Sequence, residues 1–322
     1  GAPPAASGTA APQAGSGRVS FVPAANEDEL PAHFRLAGHT FDFQTAPQPT
    51  VSTQFSIALV TFPSPVETPQ PNNNTVHCEY FRPVAAGKHP GVIVLHILGG
   101  DFDLARLFCR TLAANHCGAL FLKMPYYGPR RQPDSPARMI SLDPHETVRG
   151  MTQAVLDIRR ARAWLAAQDE IDPQQTGIMG ISLGGITSAL AITAEPRFHK
   201  ACLLLAGGNI GEVAWESAEL KGLRQRWEQQ GGTRETLIEA LRAVDPVAYA
   251  AHARNCQVLM LNASRDEVIP HACTESLWLA LGRPKIIWWE AGHYSAMRFI
   301  FEGLSHAVGF FQPASADKNR DR

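Results

Sequence analysis

The sequence predicts an α/β fold: a mostly parallel sheet of about eight strands with helices on both faces. Short apolar or β-branched runs alternate with stretches of helical periodicity from about residue 90 onward, which is the pattern of repeated strand–helix units. The run at residues 91–98 is apolar except for His96, as a central strand buried on both faces requires. Length and composition agree. The 322 residues are 45% hydrophobic and 18% charged, enough for a sizeable core and too apolar for a wholly disordered chain.

Taken in order, residues 1–18 are almost entirely Ala, Pro, Gly, Ser and Thr and read as a flexible tail. Residues 51–62 and 75–82 form an antiparallel opening, with Pro- and Asn-rich turns around them. After the strand at 91–98, residues 103–115 carry Leu104, Leu107, Phe108 and Leu112 at helical spacing. A strand at 118–124 leads through Pro125, Tyr126, Tyr127 and Gly128 into a loop, then into a long helix at 146–168. Residues 177–181 are a short strand running into a helix through Ile186, Leu190 and Ile192. Strands at 200–206, 257–262 and 286–289 complete the sheet. Residues 314–322 are polar, lack periodicity and read as frayed.

One stretch breaks the rhythm. Residues 207–255 are too long for an ordinary connection and read as an inserted helical cap on a single domain spanning 19–313. Asp245-Pro246 supplies an N-cap and first-turn pair within it. Trp215, Leu223, Trp227, Leu237 and Leu241 lie at helical spacing and read as packing residues before ligand contacts.

Composition also limits partners. Lys plus Arg (29) balances Asp plus Glu (30), giving a formal charge of −1, so no global field draws nucleic acid or an anionic membrane. No stretch approaches the roughly 18 consecutive apolar residues of a membrane span. The chain reads as soluble, either cytoplasmic or secreted with its signal peptide removed. Its six cysteines contain no CxxC pair, which argues against a zinc ribbon or a thioredoxin-type site. They read first as core residues, with disulfides the alternative.

Gly180-Ile181-Ser182-Leu183-Gly184 matches G-x-S-x-G, the sharp strand-to-helix turn that presents a nucleophilic serine. The bare pattern arises by chance in roughly a tenth of chains this size. Its place between a strand and a helix is what gives it weight; the bland alternative is an ordinary N-cap serine. A serine hydroxyl needs an imidazole to take its proton, and the imidazole needs a carboxylate to fix its tautomer. In this arrangement they follow in the order Ser, acid, His. Asp266, beside Glu267, lies just past the strand at 257–262, and His293 lies just past the strand at 286–289. Both are loops at the carboxyl ends of strands, where open α/β sheets place their ligands. Two backbone N–H groups must then hold the oxyanion: those of Leu183 and of Ile97, with Leu98 the neighbouring alternative. His96 reads as a residue that shapes this loop. Tyr126, Tyr127 and Trp289 are candidate substrate contacts, with packing an equal reading.

These segments resemble the α/β-hydrolase superfamily over roughly residues 50–312. Leu95-His96-Ile97-Leu98-Gly99, the elbow and Arg265-Asp266-Glu267-Val268-Ile269-Pro270 look most like its dienelactone-hydrolase-like and acetyl-xylan-esterase-like branch. Two departures stand out: dienelactone hydrolases proper carry a cysteine at the elbow and a glutamate where His96 stands. The resemblance implies a serine ester hydrolase acting on a small-molecule or polymer ester through an acyl-enzyme, with no metal or organic cofactor. A peptidase or acyltransferase with the same three residues, and a non-catalytic binding scaffold, are the other readings. Acyl-chain preference and oligomeric state are left open by the sequence.

Overall fold

A computed structural model describes residues 14–314. It contains one ten-stranded sheet in the order β1-β2-β3-β4-β6-β5-β7-β8-β9-β10. The six parallel strands are β5 (His89–Leu95), β6 (Gly118–Lys123), β7 (Ile171–Ile181), β8 (Lys200–Leu204), β9 (Gln257–Ala263) and β10 (Lys285–Trp289). Antiparallel strands β1 (Gly15–Phe21), β2 (His39–Gln48), β3 (Phe55–Pro63) and β4 (Thr75–Pro83) extend the sheet past β6. Two strands more than expected are therefore present, β1 and β2. The tail expected over residues 1–18 lies outside the described residues up to 13, and its last residues pair with β2 instead, Gly15 opposite Thr45 and Gly17 opposite Phe43. The fray expected at 314–322 lies, but for Ala314, outside the described residues.

Helices cover both faces. On one face α1 (Asp103–Ala114) and α9 (Ile300–Phe311) bury Phe108, Leu112, Leu304 and Phe311 against Val92, Val94 and Phe121 of the sheet. On the other, α2 (Pro144–Ala166) and α3 (Leu183–Ala194) bury Val155, Ile158, Leu190 and Ile192 against Ile93, Leu120 and Ile178. All twelve residues of α3 are buried. That is why its sequence lacks a polar stripe, as expected of a helix enclosed on every side. Asp143 caps α2, its side chain accepting from the His145 N–H, with Pro144 in the first turn.

Between β8 and β9 run α4 (Ile210–Glu216), α5 (Lys221–Gln229), α6 (Arg234–Leu241) and the short α7 (Pro246–Tyr249), the last capped by Asp245. The same Asp245 carboxylate accepts from the Asn209 and Ile210 N–H groups, tying the two ends of this stretch together. Helix α8 (His271–Ala280) follows β9. Among the described residues no helix is long and apolar enough to cross a membrane.

Two buried ion-pair networks are built on α2, one of which ties the segment between β1 and β2 to it. The Arg159 guanidinium, fully buried on α2, contacts Glu195 and donates to both oxygens of Glu27 and to the Phe34 carbonyl. Burial pushes the Glu27 carboxyl up, but Arg159 and the Leu36 and Ala24 N–H groups outweigh it and hold the carboxyl down at about 2. The Arg130–Asp157 pair is likewise fully buried, at 2.8 Å. All six cysteines are free thiols, five of them buried and Cys256 partly so. Burial raises the pKa of each one, to about 12 for Cys117, Cys256 and Cys273.

Candidate active site

The carboxyl ends of β5, β7, β9 and β10 meet at Ser182. Where β7 turns into α3 the backbone of Ser182 takes φ 55°, ψ −115°, a region that side chains other than glycine rarely enter. Two glycines permit the turn. A Cβ on Gly180 would lie 2.3 Å from the Gly184 carbonyl, and one on Gly184 would lie 2.6 Å from the His96 carbonyl oxygen. The Ser182 N–H is held by the Leu204 carbonyl at 2.8 Å, and its side chain makes no capping bond to α3. That hydroxyl is left for another partner.

The partner is His293. Ser182 Oγ lies 2.9 Å from His293 Nε2, and His293 Nδ1 lies 2.8 Å from Asp266 Oδ2. A carboxylate can only accept, so Nδ1 carries the proton and Nε2 presents its lone pair to the serine hydroxyl. The His293 and Asp266 side chains are only 8% and 4% exposed. Asp266 is itself fixed, because its other oxygen accepts from the Val268 and Ile269 N–H groups at 2.8 and 2.7 Å. The neighbouring Glu267 has a separate job: its carboxylate accepts the His293 backbone N–H at 2.8 Å and lies where a Cβ on Gly292 would sit. The two adjacent acids thus hold the histidine from its ring and from its backbone.

The loop after β5 lies against the start of α3, within contact range of Gly184. Among the described residues neither the Ile97 nor the Leu183 N–H finds a protein acceptor. His96 shapes this loop. Its Nε2 accepts the Met124 N–H at 3.0 Å, which places the proton on Nδ1, donated to the Ile97 carbonyl at 2.9 Å. Burial lowers the His96 pKa to about 4, so the ring stays neutral and the tautomer fixed.

The sequence-derived substrate contacts divide. Tyr126 lines a cleft of about 1260 Å³, its N–H held by the Asn73 side chain. Tyr127 donates its hydroxyl to the Leu98 carbonyl at 2.6 Å and packs edge-on against His96, so it supports the loop. Trp289 corrects the expectation: it is 4% exposed, stacked on Phe299 in the core beneath α9, because the pleat of β10 turns it to the face away from Ser182.

Ser182 opens instead onto a small pocket of about 70 Å³ walled by Leu183, Ile186, Val213, Leu241, Val268 and Ile269. Leu98, Ile140, Glu219, Leu220 and Leu223 are common to this pocket and the large cleft. Sequence reasoning named Leu223 and Leu241 as packing residues; they pack and also wall the pocket. It missed Ile140, Glu219 and Leu220, which come to Ser182 only through the folding of distant loops. Glu219 accepts a hydrogen bond from the Tyr294 hydroxyl, linking the turn before α5 to the loop that carries His293.

A family model described as the prolyl oligopeptidase family matches residues 150–315, just over half of the chain and including Ser182, Asp266 and His293. The chain belongs to the prolyl oligopeptidase family. A second model, alpha/beta hydrolase domain containing 18, matches residues 60–209. Among curated relatives of this family member, an uncharacterized Mycobacterium tuberculosis protein is 28% identical over 175 residues, 53% of this chain. A second protein of that organism is 25% identical over 206 residues, 64% of this chain. The chain spans 40% of the first relative's length and 63% of the second's.

Solved structures establish the fold. Acetyl xylan esterase 1 from Thermoanaerobacterium sp. superposes with TM-score 0.61 at 18% identity, covering 81% of this chain and 87% of that one. A putative dienelactone hydrolase from Klebsiella pneumoniae gives 0.52 at 21%, covering 79% and 98%. A puromycin-hydrolyzing peptidase from Mycobacterium tuberculosis gives 0.57 at 16%, covering 84% and 45%. The α/β-hydrolase fold expected from the elbow and its strand context is borne out.

Proposed function

We propose that this member of the family is a serine hydrolase that cleaves carboxylic esters. The observation that carries the reading is the chain of hydrogen bonds Ser182–His293–Asp266, which begins at a serine held at positive φ with its hydroxyl unused by the helix. Ser182 Oγ attacks the acyl carbon while His293 Nε2 takes its proton, and Asp266 steadies the imidazolium. The Leu183 and Ile97 N–H groups bond the oxyanion. The imidazolium then protonates the departing alcohol, leaving Ser182 acylated. Water, deprotonated by His293, releases the acid and restores the serine.

Helices α4 to α6 act as the cap over this chemistry, with the acyl group in the small apolar pocket and the alcohol in the large cleft. This division favours an ester over a peptide. A peptide's acyl half continues as chain beyond the residue that is cleaved and would have to leave the pocket of about 70 Å³, whereas a short acyl group ends within it. The family match and the peptidase neighbour favour the second reading, an amide-cleaving enzyme with the same residues.

A fluorophosphonate probe tests the common mechanism: attack by Ser182 on phosphorus with loss of fluoride labels wild type and not Ser182→Ala. Absence of label on wild type overturns it. Turnover of short p-nitrophenyl esters without turnover of peptide p-nitroanilides supports the ester reading; the reverse selects the peptidase.

A further inference from the structure

Ser217 is the C-cap of α4 and one wall of the Ser182 pocket. It is 3% exposed, and among the described residues its hydroxyl has no hydrogen-bond partner. Buried serines on helices ordinarily bond back to the carbonyl four residues earlier. Thr187 and Ser188 of α3 do so, to the Leu183 and Gly184 carbonyls at 2.8 and 2.7 Å. Ser217 does not. The Val213 carbonyl takes the Ser217 backbone N–H, at 2.9 Å, but not its hydroxyl.

The other polar groups of this pocket are committed. The Thr147 hydroxyl accepts from the Ser141 N–H and donates to the Ser141 carbonyl. Glu219 is engaged by Tyr294, and Ser182 by His293. The pocket is mostly apolar, and one of its lining residues, which also borders a second cavity beside Trp215 and Lys221, carries a buried hydroxyl with nothing to bond. Such a group disfavours the empty site and rewards a ligand that satisfies it. Size narrows the ligand further. A dry cavity of about 150 Å³ accepts the six carbons of benzene, so about 70 Å³ has room for about three heavy atoms beyond the acyl carbonyl.

We propose that Ser217 is a specificity-determining residue that bonds a polar terminus on the acyl group, and that the preferred substrates are esters of short hydroxy acids. The assignment rests on the ester-hydrolase reading above. Ser217 takes no part in bond making; it selects which acyl group is presented to Ser182.

The test compares p-nitrophenyl 3-hydroxypropionate with p-nitrophenyl butyrate, which share a leaving group and differ by a terminal hydroxyl in place of a methyl. The ratio of their kcat/KM values is taken for wild type and for Ser217→Ala. Dividing one ratio by the other cancels the intrinsic reactivity of the two esters. The wild-type ratio is expected to exceed that of Ser217→Ala by about tenfold or more, with the thermal midpoint of the variant not lowered. Equal ratios overturn the assignment of Ser217. Fluorophosphonate labelling of the same samples separates the two possible failures: label with equal ratios refutes the Ser217 proposal alone, whereas no label and no turnover refute the ester-hydrolase reading and this proposal with it.

Discussion

Replacing Asp266 with Asn asks whether this carboxylate, and not the adjacent Glu267, governs the state of His293. Asp266 Oδ1 accepts two backbone N–H groups, and an Asn oxygen would remain there to keep both. The Asn amide would then face His293 Nδ1 with a donor where the carboxylate offered an acceptor. The imidazole must answer by moving its proton to Nε2, which points a donor at Ser182 and removes the base. Loss of the correct tautomer costs about 10⁴-fold in kcat, or about 5–6 kcal/mol of barrier at about 1.4 kcal/mol per tenfold. Glu267→Gln is the control. Its amide oxygen still accepts the His293 N–H, so only the gain from charge is lost, about 1 kcal/mol and less than about tenfold in rate. Steady-state hydrolysis of p-nitrophenyl butyrate by matched, folded samples reads both. If Glu267→Gln loses as much as Asp266→Asn, or if Asp266→Asn stays within tenfold of wild type, the division of labour between the two acids is wrong.

Three further outcomes follow from the same geometry. Gly184→Ala places a methyl group 2.6 Å from the His96 carbonyl and displaces the loop carrying Ile97, so kcat should fall about 10²-fold or more; an active variant would refute the placement of the oxyanion donors. Burial keeps His96 neutral down to about 4, while unfolding returns it to about 6.5. As pH falls through that interval the unfolded chain binds a proton that the folded chain refuses, so this residue withdraws about 3 kcal/mol of stability. Urea midpoints at pH 7 and pH 4.5 should therefore differ less for His96→Gln than for wild type. Glu195→Ala leaves the buried Arg159 without one of its two carboxylates and should cost about 3–5 kcal/mol by chemical denaturation, with kcat/KM of the folded protein unchanged.

Much of the parallel half was legible because its strands are apolar throughout. Strands β5, β6, β9 and β10 fall within three residues of the ends read from the sequence: the first three are largely buried on both faces, so few polar residues blur their limits, and edge strand β10 keeps an apolar run, Ile286 to Trp289, although Trp288 is exposed. The edge was not legible. β1 is half Gly and Ser, and β2 alternates only Phe41 and Phe43 with polar residues before Pro47, so backbone pairing more than side-chain pattern makes them strands. β7 begins six residues early because polar residues 172–175 lie on an irregular stretch of its ladder with β5. At the site, Ser182, Asp266 and His293 were readable from local motifs and chain order. Trp289 was misplaced because proximity to a strand end does not say which face a side chain takes. Ser217 and Leu220 carry no local signal, since they reach Ser182 only through tertiary packing.

The six free thiols make the native fold its own chemical clock. Thiolate, not thiol, attacks maleimides and disulfides, and burial holds every cysteine far from that form at neutral pH. Unfolding restores ordinary acidity to all six together. Alkylation rates therefore count openings of the chain, and comparing Cys78 and Cys273, in the core on one face of the sheet, with Cys109 and Cys202, in the core on the other, shows which core opens first.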